Sequence, residues 1–148
     1  MIVYVDTSAL VKRYVREANS GDVTALVEQA DLVGSILLTR VEMASAFSKA
    51  VRMNWLDSRQ AESSWQDFLV HWRSFSRLNL TPPLVERASR FSWEFGLRGY
   101  DATHLAGAVL WQETLETPVI LATYDRDLWQ AAPKAGLIAW PNEFPPLR

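Results

Sequence analysis

The sequence predicts an α/β fold, with a short, mainly parallel sheet and helices on both sides. Three observations predict it. Candidate strands and helices alternate through much of the chain. The strands are short continuous apolar runs rather than alternating ones, the pattern of strands buried on both faces. The chain has 148 residues, a length that suits one domain, 1–148, and is short for two.

The elements follow in order. Ile2 to Val5 is β-branched and aromatic and stops at Asp6-Thr7-Ser8, a strand running into a helix start. Ala9 to Arg16 reads as helix, and Ser20 to Ala30 as a second helix with Val23, Leu26 and Val27 on its apolar side. Leu32 to Leu38 is the next strand. Thr39 is placed to cap a helix carrying Met43, Phe47, Ala50 and Val51. Asp57 to Phe75 is the clearest helix, because Ala61, Trp65, Phe68, Leu69, Trp72 and Phe75 recur at spacings of three and four; Asp57 with Gln60 matches a capping box. Leu78 to Leu80 reads as a short strand before the turn Thr81-Pro82-Pro83. Leu84 to Phe95 is amphipathic and ends at Gly96 and Gly99. Asp101 to Trp111 is a small-residue helix suited to lying close on a sheet. Pro118 to Ala122 is a strand, Asp125 to Ala132 a helix, Leu137 to Trp140 a last strand, and Pro141 to Arg148 an irregular tail.

Composition excludes several classes. Half the residues are hydrophobic (49%) and 22% are charged, so the chain is neither disordered nor fibrous. No apolar run approaches the ~20 residues that span a bilayer, and the first residues lack the charged and apolar regions of a secretory signal. Cysteine is absent, which removes disulfides and thiolate chemistry and suits a reducing cytoplasm. The formal charge of -2 comes from 15 basic and 17 acidic residues, with no basic excess to announce nucleic acid. The seven Trp and the dominance of Arg over Lys favour recognition surfaces.

In a parallel α/β sheet, ligands bind outside the carboxyl ends of the strands. Asp6, Glu42 and Asp125 follow three of the predicted strands, and Asp101 opens the small-residue helix. Each is also a good helix-start residue: Asp caps helices, and Thr39 with Glu42 fits the T-x-x-E capping box. Together they form a set that one sheet edge would gather into a single cleft, with Asp127 nearby. Such a cluster repels itself unless a hard cation offsets it. Carboxylates without His or Cys point to Mg2+ or Mn2+ rather than zinc, and such ions serve phosphodiester hydrolysis. His104 lies one turn past Asp101, where a packed structural role and a supporting role are both open; His71 is placed at a helix surface. No P-loop, dinucleotide-binding or hydrolase-elbow motif occurs.

Four stretches carry a resemblance. Val3-Tyr4-Val5-Asp6-Thr7-Ser8-Ala9-Leu10-Val11-Lys12 resembles the opening of PIN-domain ribonucleases, particularly the VapC-type toxins of toxin–antitoxin pairs. Thr39-Arg40-Val41-Glu42-Met43-Ala44-Ser45-Ala46 is similar to the second acidic motif of that family. Tyr100-Asp101-Ala102-Thr103-His104-Leu105-Ala106 is similar to the third, and Leu121-Ala122-Thr123-Tyr124-Asp125-Arg126-Asp127-Leu128 to the fourth. Order and spacing agree from end to end.

The resemblance implies a three-layer α/β/α sandwich, an Mg2+- or Mn2+-dependent endoribonuclease, and inhibition by a small cognate antitoxin of the VapB kind. It makes Asp6, Glu42, Asp101 and Asp125 the acidic metal-site residues, with Ser8 and Thr123 as accessory hydroxyls and Asp127 as an alternative or aid to Asp125. Arg13, Arg16, Arg98 and Arg126 lie near the motifs as candidate phosphate contacts. An antitoxin segment, and a second copy of the chain in a homodimer, are expected on exposed Trp and Phe of the middle helices. No membrane partner is expected. A PIN nuclease acting in RNA processing or on DNA, and an inactive PIN-like binding module, are the competing readings.

Overall fold

The computed structural model describes residues 1–146. Of the predicted tail, Leu147 and Arg148 lie outside these. Five strands form one sheet: β1 (Ile2–Val5), β2 (Leu32–Ile36), β3 (Ser76–Leu78), β4 (Val119–Ala122) and β5 (Ile138–Trp140). Every pairing is parallel and the order is β3-β2-β1-β4-β5. Seven helices cover it: α1 (Thr7–Leu10), α2 (Ser20–Gln29), α3 (Thr39–Arg52), α4 (Ser58–Trp72), α5 (Pro82–Phe95), α6 (Gly99–Leu115) and α7 (Arg126–Lys134).

Strand side chains alternate between faces, and β1 shows what this does. Val3 and Val5 join a core with Leu10, Val23, Met43, Phe47, Phe68 and Trp72, from α1 to α4. Tyr4 points the other way, into a core with Leu84, Leu105, Val109, Leu121 and Leu128, which α5, α6 and α7 build. The result is the three-layer α/β/α sandwich. Helix α6 is buried along most of its length, including Ala102, Leu105, Ala106, Ala108, Val109 and Trp111. Its small residues let it lie close to the strands. A Cβ on Gly34 of β2 would stand 2.7 Å from the Trp111 ring, so the glycine makes room for that indole.

Several boundaries differ from the sequence expectation. The first helix does not reach Arg16. It is four residues long and tightens into a 3₁₀ turn, Val11–Arg13, after which Tyr14 packs edge-on against Phe47 and Phe68. β2 stops at Ile36, because Leu37 and Leu38 turn the chain into α3. α4 ends at Trp72, where Ser74 donates to the His71 carbonyl and satisfies a helix-end acceptor. The third strand is Ser76–Leu78 rather than Leu78–Leu80: it pairs Ser76 with Gly34 and Leu78 with Ile36, and its polar residues suit an edge strand. α6 is longer than expected at both ends, running from Gly99 to Leu115. The capping box at Asp57 and Gln60 forms as expected, with bonds of 2.8 and 3.0 Å.

Chain order decides where a ligand binds. From β1 the sheet grows outward through β2 to β3; the chain then returns to the other side of β1 to lay down β4 and β5. The crevice between the carboxyl ends of β1 and β4 is therefore the topological switch point.

Candidate active site

Asp6 and Thr123 sit at that switch point, one residue past β1 and β4. Asp6 is 3% exposed, and its carboxylate is held from three sides. The Ala9 backbone N–H donates to Oδ1 at 3.0 Å, making Asp6 the N-cap of α1. Ser8 Oγ lies 2.8 and 2.9 Å from the two carboxylate oxygens, and Thr123 Oγ1 donates to Oδ2 at 2.8 Å. The hydroxyls are themselves fixed, since Tyr124 N–H donates to Ser8 Oγ and Asp125 N–H donates to Thr123 Oγ1. Burial pushes the Asp6 carboxyl above its ordinary value, against the hydrogen bonds from Thr123, Ala9 and Ser8.

Asp125 caps α7 by accepting from Leu128 N–H at 3.0 Å. Its other oxygen accepts from Arg98 Nη2 at 3.0 Å, while Arg98 Nε donates to Asp101 Oδ2 at 3.3 Å. One exposed guanidinium thus ties the first turn of α6 to the start of α7. Burial raises the Asp101 carboxyl and the negative charge of Asp125 raises it further; Arg98 offsets only part of this, so the carboxyl stays above its ordinary value.

Glu42 does not cap α3. The N-cap position is Leu38, which brings no side-chain bond. Thr39 is fully buried and bonds the Ser35 hydroxyl at 2.6 Å instead. Freed from capping, Glu42 Oε1 accepts from His104 Nε2 at 2.8 Å, and His104 Nδ1 meets Tyr4 Oη at 2.9 Å. Burial pushes the Tyr4 phenol well above its ordinary range, so it keeps its proton.

The expected tight cluster of carboxylates is not what the structure contains. Among the described residues, no group of three or more Asp, Glu or His side chains lies close enough to hold a metal ion. The reason is local. Each acid is engaged by its own partner: Asp6 by hydroxyls and a backbone N–H, Glu42 by His104, and Asp101 with Asp125 by Arg98. By donor chemistry the set still fits a hard divalent cation, because it offers carboxylate oxygen at a sheet edge where burial leaves Asp6 and Asp101 short of positive charge.

The remaining candidates divide. Asp127 is exposed in the first turn of α7, whereas Asp125 joins Asp101 through Arg98. Arg98 belongs to the site. Arg13 does not: it lies beside His71 and Leu32, at the opposite end of β2, 4.0 Å from Glu28. Arg16 lines a separate hollow with Trp55. Arg126 stacks on Phe144. His71 is half-buried rather than at the surface, its Nδ1 2.9 Å from Tyr14 Oη. The aromatic residues around the middle helices divide: Phe47, Phe68, Trp72 and Phe75 are core residues and Trp65 is half-buried between Phe47 and Phe68, whereas Trp55 and Trp93 are exposed. Tyr4, bonded to His104, is a member of this network that patterning missed; the available signal was a tyrosine in a buried strand, whose hydroxyl must find a partner.

The PIN domain family model matches residues 3–134. The chain belongs to the PIN-domain family. A curated relative, "Ribonuclease VapC45" of Mycobacterium tuberculosis, is 31% identical over 148 residues, covering 98% of this chain and 99% of the relative. Among solved structures, M. tuberculosis VapC20, described as a sarcin-ricin loop cleaving toxin, superposes with a TM-score of 0.63 at 17% identity, covering 87% of this chain and 94% of that one. A toxin–antitoxin complex from Klebsiella pneumoniae superposes at 0.54 with 18% identity, covering 80% and 83%. In this PIN domain Asp6 stands at the switch point of the sheet, Arg98 joins Asp101 to Asp125, and Glu42 bonds His104. No helix among the described residues is long and apolar enough to cross a membrane.

Proposed function

We propose that this PIN domain is an Mg2+- or Mn2+-dependent endoribonuclease and the toxin of a toxin–antitoxin pair. One observation carries the reading: Asp6 with Ser8, Asp101, and Asp125 with Thr123, from three of the four sequence motifs, are joined by hydrogen bonds and ion pairs near the switch point. The ribonuclease named among its relatives supports it.

Asp6, Asp101 and Asp125, with Glu42 beside them, are the residues that would hold the ion. A bound divalent cation supplies Lewis-acid stabilisation of phosphoryl charge and a more acidic water. The protein's own groups do the rest. Ser8 and Thr123 orient the Asp6 oxygens, so that no reorganisation is needed when charge develops. The Arg98 guanidinium, shared by Asp101 and Asp125, is exposed and has the fork geometry that would suit a phosphate oxygen pair. Asp127 is an accessory acid at most, since it stands outside this network.

The partners proposed are RNA as substrate, a small VapB-like antitoxin as inhibitor, and a second copy of the chain. The exposed apolar residues nearest the acids, Val41 and Tyr100 with Leu38 at the base of the hollow, offer an antitoxin segment a footing beside Glu42.

The test is cleavage of purified RNA by wild type, Asp6→Asn and Asp101→Asn, with Mg2+, Mn2+ or EDTA. Wild type is expected to cut in either metal and to stop in EDTA, and both variants to be inactive. Equal cleavage by variants and wild type, or indifference to the chelator, would falsify the assignment.

A further inference from the structure

Building on that nuclease reading, we propose that Tyr4 and His104 are positioning residues for Glu42: the Tyr4 hydroxyl holds His104 as the neutral Nε2–H tautomer, which presents a fixed donor to the Glu42 carboxylate.

The hydrogen bonds determine the direction of the chain. Tyr4 is fully buried, and Ile36 N–H donates to its Oη at 3.3 Å. A buried hydroxyl proton needs an acceptor, and His104 Nδ1, at 2.9 Å, is the one it meets. Nδ1 therefore carries the lone pair, and the ring proton belongs on Nε2. Nε2 in turn lies 2.8 Å from Glu42 Oε1. The path runs from the β2 backbone through β1 and α6 to α3, so one hydrogen-bond chain ties four elements to one acid.

A second observation shows that the fold makes room for this chain. Gly107 lies three residues past His104, on the same face of α6. A Cβ there would stand 2.7 Å from Ile36 Cγ2 and 3.1 Å from Tyr4 Oη. The glycine lets α6 approach until the tyrosine hydroxyl and the imidazole meet. His104 itself is 2% exposed, with both ring nitrogens engaged and its ring edge-on to Tyr4.

The consequence is a specific failure. In Tyr4→Phe, Nδ1 loses its donor and the ring is free to place its proton there. Nε2 then turns a lone pair toward the Glu42 carboxylate, which is repelled. In His104→Gln, the amide Nε2 reaches the same place and still donates.

Three variants of the full chain, Tyr4→Phe, His104→Leu and His104→Gln, test this, each checked for folding by near-ultraviolet circular dichroism. The first readout is the pair of 15N ring shifts of His104 near neutral pH in EDTA. Wild type is expected to show the Nε2–H tautomer, and Tyr4→Phe a mixture. The second is RNA cleavage against Mg2+ concentration. Tyr4→Phe and His104→Leu are expected to lose ~10–100-fold in kcat or in Mg2+ requirement, as outer partners of site ligands do, with KM for RNA unchanged. His104→Gln is expected to recover most of the loss. The idea is overturned by an Nδ1–H or doubly protonated His104 in the wild type. A folded His104→Gln no better than folded His104→Leu overturns it as well. If wild type cuts no RNA, the nuclease reading fails, and the ring shifts alone decide whether Tyr4 sets the tautomer.

Discussion

Asp6 serves two purposes that conflict. It caps α1 and anchors the hydroxyl network, yet its carboxylate is buried and pushed toward protonation. A group whose folded-state pKa is raised favours the fold below its unfolded pKa and loses that contribution as pH rises through the folded value. At neutral pH the ionised form is therefore a destabilising element. Asp6→Asn keeps an oxygen for the Ala9 N–H and removes the charge. In EDTA at pH 7 the variant is expected to melt above wild type, each ~1 kcal/mol reading as about 2–4 °C in a chain of this size. The gap narrows as pH falls and wild-type Asp6 takes its proton. A thermal series over pH checks it; a variant melting below wild type at pH 7 refutes it.

Among the elements, α6 decides most. It supplies Asp101 and His104 to the site and Trp111 to the core, and it can do so only because glycines lie where it approaches the sheet. Gly34→Ala puts a methyl within 2.7–3.0 Å of three Trp111 ring atoms. Overpacking of this kind costs ~1–3 kcal/mol. The expected result is a lower urea midpoint with the slope unchanged, measured by far-ultraviolet circular dichroism. Since Trp111 lies two turns from His104, catalytic activity per folded molecule is expected to fall less than in Tyr4→Phe.

For the molecule as a whole, a net charge of -2 sets the character of binding. If four acids serve the cation, the rest of the chain is slightly basic. Of Arg13, Arg16, Arg98 and Arg126, only Arg98 reaches the acids, and a modest phosphate footprint is expected. Proteins with 6–10 phosphate contacts lose ~10³–10⁵ in affinity between 50 and 200 mM salt. Here the loss for single-stranded RNA is expected to stay well under ~10³-fold over that range, by fluorescence anisotropy with the Asp101→Asn variant. A steeper dependence would mean that many more basic side chains than Arg98 contact the RNA.

The strand runs, the helix periodicities and the acids at element junctions follow from the sequence by itself, because each depends on residues within a few positions of one another. So does the motif order that marks the family. What needed the tertiary structure was every relation across the chain. Thr123 and Asp6 stand 117 residues apart and share a hydrogen bond. Arg98 joins Asp101 to Asp125, whereas Arg13, as close to a motif in sequence, ends at the far end of the sheet. Thr39 and Glu42 spelled a capping box, but the fold spent the threonine on Ser35 and gave the glutamate to His104. Local propensity fixes what a segment prefers. Burial and hydrogen-bond satisfaction, which are settled only when distant segments pack, fix which partner each polar group takes.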